Sequence, residues 1–104
     1  MIARCEVWDA DLGKTVGPVV VVTRESAIPV LRRLVCVAIT KTLRGHPAEV
    51  ELSRDHGLDE LSAANCDWVI TLPKERLVRR RGQLDAVTTR RVNAALVVAL
   101  GLDQ

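Results

Sequence analysis

A chain of 104 residues that is 48% hydrophobic has material for one hydrophobic core, and that content excludes a disordered, highly charged segment. A net charge of +2 does not mark a polyanion binder by itself, and two tryptophans without Phe or Tyr leave the core to aliphatic side chains. No apolar run approaches the ~20 residues of a membrane-spanning helix, and Met1 to Glu6 carries Arg4 and Glu6 where a signal peptide would be apolar. A soluble cytoplasmic protein of one domain, residues 1–104, is the expectation.

Arg4 to Ala10 alternates loosely and reads as a first strand. Asp11 to Gly17 is a short loop punctuated by Gly13 and Gly17. Pro18 then opens Val19-Val20-Val21-Val22-Thr23, an uninterrupted β-branched run expected to be a strand buried on both faces. Arg24 to Arg33, with Pro29, is a longer connection. Leu34 to Thr40 is a third strand, and Ala48 to Ser53 a fourth beyond the Gly45/Pro47 turn. Arg54 to Leu61 is a loop around Gly57, and Ala63 to Thr71 a fifth strand. Pro73 to Leu77 reads as one helical turn with Pro leading, and Val78 to Gln83 as a last strand.

The C-terminal segment changes period. Asp85 can cap a helix over Ala86 to Leu100, closed by Gly101. Val92, Ala95, Leu96, Ala99 and Leu100 recur at three- and four-residue spacing and form one apolar stripe. The sum is a mainly β fold: a small antiparallel barrel carrying a C-terminal α-helix.

Cys5, Cys36 and Cys66 are odd in number and set in apolar strand-like runs, as buried thiols of a reducing compartment would be. His46 and His56 complete no zinc spacing, so neither metal nor cofactor is expected. Lys74, Arg76 and Arg79-Arg80-Arg81 cluster, and Asp55, Asp59 and Glu60 form a separate acidic loop. On a strand, Arg79 and Arg81 share one face and Arg80 takes the other, so the run cannot line one groove.

The most informative stretch is Ile39 to Val50. Two hydroxyls, Thr40 and Thr42, and two cations, Lys41 and Arg44, gather at a strand end where side chains can reach a bound phosphodiester.

Five blocks, in order, carry a family likeness. They are Arg4-Cys5-Glu6-Val7-Trp8 with Asp11-Leu12-Gly13; Pro18 to Val22; Ala38-Ile39-Thr40 with Arg44-Gly45; Ser62 to Asp67; and Thr71 to Leu77, before an Ala-Leu-Gly-Leu ending. The chain resembles the MazF/PemK toxins. That resemblance implies an SH3-like barrel, a two-fold homodimer, a MazE-like antitoxin as partner, and metal-independent cleavage of single-stranded RNA to 2′,3′-cyclic phosphate and 5′-hydroxyl ends.

The family assigns transition-state work to the Thr matching Thr40 and to an Arg before the Pro matching Pro18. Gly17 stands in the Arg's place. Lys14 and Arg24 are therefore the candidate catalytic cations beside Thr40, with Lys41 and Arg44 as rivals. Lys41, Thr42, Arg44, Asn65, Asp67 and Trp68 are the candidate RNA-binding residues: Asn and Asp can read base edges, and Trp can stack on a splayed base. His46, beside Arg44-Gly45, is a further titratable group near the same turn. Two other functions compete. One is a non-catalytic member that binds RNA or antitoxin; the other is a CcdB-like gyrase poison, although Gly101-Leu102-Asp103-Gln104 lacks the aromatic ending such poisons use.

Overall fold

A computed structural model describes residues 1–104. The strands are β1 (Glu6–Asp11), β2 (Val16–Val21), β3 (Arg33–Thr40), β4 (Glu49–Leu52), β5 (Ser62–Pro73) and β6 (Leu77–Gln83). One helix, α1 (Ala86–Ala99), follows. The strands form one antiparallel sheet in the order β4-β5-β3-β2-β1-β6. The expected mainly β fold with a C-terminal helix is the one observed, as a curled sheet. No ladder joins the two edge strands. Closure comes from the Arg54–His56 turn, which lies against β6 at Gly82. A Cβ on Gly82 would sit 2.7 Å from the His56 carbonyl oxygen, and one on Gly57 would strike the Arg81 carbonyl. Both positions admit only glycine, and Gly57 also has φ +91°.

β2 behaves as its composition dictates. Val19, Val20 and Val21 are all fully buried, because the curled sheet packs side chains on both surfaces. One cluster gathers Val7, Val20, Val37, Val50, Leu52 and Cys66 beneath Val92 and Ala95 of α1. The other gathers Ala10, Val19, Val21, Leu34 and Cys36. A fully buried Val or Leu contributes about 1.5–3 kcal/mol, so these two layers hold the sheet's shape.

The helix begins as read: the Asp85 side chain accepts the Thr88 backbone N–H at 2.9 Å. Its last turn differs. Ala99 is half-buried but Leu100 is exposed, so the apolar stripe runs off the core onto the surface. The cysteines are free and buried, and burial pushes the Cys36 thiol up to about 12 and the Cys66 thiol up to about 11, so both stay protonated.

Element boundaries differ from the expected ones by one or two residues, and two of these shifts bear on the site. β2 starts at Val16 rather than Pro18, because Gly17 pairs with Ala10. β5 reaches from Ser62 to Pro73 as the long central partner of both β3 and β4. It also carries an irregularity. Val37 pairs with Val69, but its neighbour Ala38 pairs with Asn65, leaving Cys66, Asp67 and Trp68 as extra residues on β5.

Candidate active site

Register decides which side chains meet, since directly paired residues of antiparallel strands point to the same face. β3 and β2 pair as Val19–Ala38, Val20–Val37 and Val21–Cys36. Continuing that register by two residues sets Gly17 opposite Thr40. β3 and β5 pair as Ala38–Asn65, and β4 and β5 as Glu49–Asn65. Thr40, Asn65, Glu49 and the bare Gly17 therefore share one face.

On that face lies a small polar cleft of about 190 Å³, lined by Thr40, Thr42, Arg44, Glu49, Asn65 and Trp68. Thr40 ends its strand half-buried, and its hydroxyl donates to the Thr42 carbonyl at 3.2 Å. The Asn65 side-chain oxygen accepts the Asp67 N–H at 3.1 Å, so its amide N–H₂ remains to donate. The bulge turns Asp67 and Trp68 outward, and the Trp68 ring is 54% exposed, a stacking surface at the cleft's rim.

Glu49 builds the turn. Its Oε1 accepts the backbone N–H groups of both Arg44 and Gly45, each at 2.8 Å. Burial pushes its carboxyl up, but these two N–H donors and His46 outweigh burial and hold it below the usual glutamate range. Gly45 takes φ +74°, which lets successive N–H groups converge on one carboxylate. Arg44 is thereby fixed at its backbone while its exposed guanidinium makes no ion pair.

The other candidates distribute unevenly. Lys41 pairs with Glu60 at 2.8 Å and lines a separate cleft with Asp9, Asp59 and Arg81. Thr40 touches that cleft too and so borders both, whereas Lys41 lines only the first. Lys14 is exposed in the β1–β2 turn and lines neither cleft. Arg24 lines an apolar groove with Leu31, Val35, Leu96 and Leu100. That groove includes Val35, five residues back along β3 from Thr40, or about 16 Å at strand rise. The structure does not bring Arg24 to Thr40.

His46 stands at the edge of this region, its Nε2 3.4 Å from Glu49 Oε2 and its Nδ1 4.0 Å from Asp67 Oδ2. Nδ1 also accepts the Ala48 N–H at 3.3 Å, which leaves Nε2 facing the Glu49 carboxylate. His56 is a pin: it accepts the Ser53 N–H at 3.0 Å and meets the Thr88 hydroxyl at 3.1 Å. No group of His, Cys, Asp and Glu is arranged to hold a metal ion.

Sequence pattern does not single out Glu49. Alternation in Glu49-Val50-Glu51-Leu52 marks it only as the outward residue of a strand. The sole hint was a glycine four residues earlier.

The family model described as PemK-like, MazF-like toxin of type II toxin–antitoxin system matches residues 3–100. The probable endoribonuclease MazF5 of Mycobacterium tuberculosis is 40% identical over 104 residues, covering 94% of this chain and 92% of that protein. The endoribonuclease MazF3 of the same species is 35% identical over 83% of this chain and 84% of its own length. The solved Mycobacterium tuberculosis toxin MazF-mt6 superposes with a TM-score of 0.88 at 32% identity, covering 95% and 99% of the two chains. A mycobacterial endoribonuclease solved in complex with its cognate antitoxin gives 0.89 at 29% identity, covering 98% and 97%.

Proposed function

The chain belongs to the PemK-like, MazF-like toxin family of type II toxin–antitoxin systems, and from that premise we propose that it is a metal-independent, sequence-selective endoribonuclease acting on single-stranded RNA. The observation that carries the reading is the shared face of Thr40, Arg44, Asn65 and Trp68 in one cleft. It offers a hydroxyl and a cation to a phosphodiester, and an amide and an indole to the neighbouring bases.

The reaction is transesterification. The 2′-oxygen bonds to phosphorus, the bond from phosphorus to the 5′-oxygen breaks, and the proton lost by one oxygen equals the proton gained by the other. No water enters the product, which leaves a 2′,3′-cyclic phosphate and a 5′-hydroxyl. Thr40 donates a hydrogen bond to a non-bridging oxygen as charge grows there. Thr42 and Lys41 flank the strand end, and Asn65, Asp67 and Trp68 select the bases.

A MazE-like antitoxin is the regulatory partner, and a homodimer is the working form, in the cytoplasm. The dimer reading is supported by an exposed apolar surface of Leu31, Val35, Val69 and Leu100, where the helix stripe runs off the core. Sedimentation velocity giving a monomer at micromolar concentration removes it.

The function is tested by incubating the purified chain with a mixed single-stranded RNA pool in EDTA. Cyclic-phosphate ends are the expected product. Binding without cleavage replaces the enzyme with a binding module, and a requirement for added Mg²⁺ replaces the mechanism.

A further inference from the structure

Resting on the nuclease reading, we infer that Arg44 is a catalytic residue of this chain, its guanidinium contacting the scissile phosphate across the cleft from the Thr40 hydroxyl. Three observations converge. The phosphorane carries more negative charge than the ground state, and a single hydroxyl is a modest donor against it. Arg44 is the one cation lining the cleft that Thr40's face presents. Gly17, which the β2–β3 register extended by two residues sets opposite Thr40, brings no cation to that side.

The local construction suits the role. Glu49 is a positioning residue: by taking the N–H groups of Arg44 and Gly45 on one oxygen, it fixes the backbone from which the guanidinium extends. It makes no ion pair with that guanidinium, so all five N–H donors are available. The guanidinium's planar fork matches two phosphate oxygens, which an ammonium cannot do. It stays protonated throughout, so it stabilises charge and moves no proton; protons exchange through water in the open cleft. The other cations near this strand end fail one condition each. Lys41 is paired with Glu60 and Arg81 with Asp9 and Asp59, and both line the neighbouring cleft rather than this one. Lys14 and Arg24 do not line the cleft.

The test measures single-turnover cleavage of a mixed single-stranded RNA pool in EDTA, with binding of the same pool fully 2′-O-methylated measured beside it. Arg44→Ala is expected to lower the cleavage rate about 10²–10³-fold while weakening binding of the methylated pool far less. Arg44→Lys is expected to fall between. Millimolar guanidinium chloride, or Gly17→Arg in the Arg44→Ala background, is expected to return at least tenfold of the lost rate. The Cβ of an Arg at position 17 meets only Leu12 Cδ1, at 3.4 Å, so the second variant fits the fold. A rate within twofold of wild type overturns the inference. So does a loss of rate equal to the loss of binding, or one that neither rescue recovers. If wild type cuts and Thr40→Ala does not while Arg44→Ala cuts normally, only the inference falls. If wild type leaves the pool uncut, the nuclease reading falls and takes the inference with it.

Discussion

β6 and the β3–β4 turn divide the chain's positive charge in opposite ways. β6 holds Arg79, Arg80 and Arg81, the densest basic run in the sequence. Each of the three is spent internally. Arg79 lies 3.4 Å from Asp9, Arg80 bonds the buried Glu6, and Arg81 bridges Asp9 at 3.0 Å and Asp59 at 3.2 Å. Arg76 just before them reaches the Asp11 carbonyl at 3.3 Å. Opposite β6 stands β1, whose Glu6, Asp9 and Asp11 form an acidic strand complementary to it. The β3–β4 turn has only Lys41 and Arg44, and Arg44 alone is unpaired. Charge density in a sequence therefore measures little about charge offered to a ligand. What counts is whether the neighbouring strand neutralises it.

That contrast can be broken experimentally. The largest effects belong to the turn: Thr40→Ala is expected to reduce single-turnover RNA cleavage about 10²–10³-fold, with melting temperature nearly unchanged. Arg79→Ala, on exposed β6, is expected to leave the cleavage rate within about twofold. If the two variants lose rate equally, the division of labour between the regions is wrong.

The β6 arginines are expected to matter for stability instead. Arg81 is nearly buried, with a side chain 13% exposed against an Asp9 that is 17% exposed. Arg81→Ala leaves that carboxylate short of a partner and is expected to cost about 1–3 kcal/mol, measured by urea unfolding. Gly82→Ala forces a Cβ to within 2.7 Å of the His56 carbonyl and is expected to cost a similar ~1–3 kcal/mol by displacing the closing turn. Unchanged unfolding midpoints in both variants would show that sheet closure does not depend on this contact.

Salt dependence gives a smaller, sharper reading. The slope of log affinity for single-stranded RNA against log salt is about −0.7 per phosphate contacted. Arg44→Ala is expected to make the slope shallower by about 0.7, and Arg80→Ala to leave it unchanged. A slope that responds only to Arg80 would move the RNA path onto β6.

The smallest effect is in pH. Glu49 is held below its ordinary range in the folded chain, so its ionised form contributes to order in the turn above that range. The contribution is lost as pH falls through the depressed value. Between pH 7 and 5, amide-exchange protection of Arg44 and Gly45 is expected to stay constant relative to Val50. Below about pH 4, where glutamate ordinarily protonates, it is expected to fall. Loss of protection already at pH 6 would show that Glu49 does not control the turn.

Much of this fold could be read in the residues because one period governed each element. Val19 to Val21 had to be doubly buried, and Asp85 had to cap. The candidate site was only half legible. Thr40, Arg44, Asn65 and Trp68 could each be named, but the cleft depends on a register shift between Val37 and Ala38 that no local pattern encodes. The same limit explains Arg24. In the chain it follows β2 closely, yet the antiparallel return carries Thr40 to the far end of β3. Glu49 was hidden for another reason. A backbone-binding carboxylate looks identical in sequence to a solvated one until the turn it binds is closed.

The irregularity in β5 has a consequence for how such a protein diversifies. Asp67 and Trp68 stand outside the ladder, while Val69 to Pro73 and Ser62 to Asn65 keep their partners on either side. Cys66 anchors the insertion in the core, with its N–H on the Ala48 carbonyl at 2.9 Å. The two exposed residues are thus a replaceable cassette, free of the packing that constrains the strand carrying it. Changing them alters the exposed surface beside the cleft without asking the scaffold to refold.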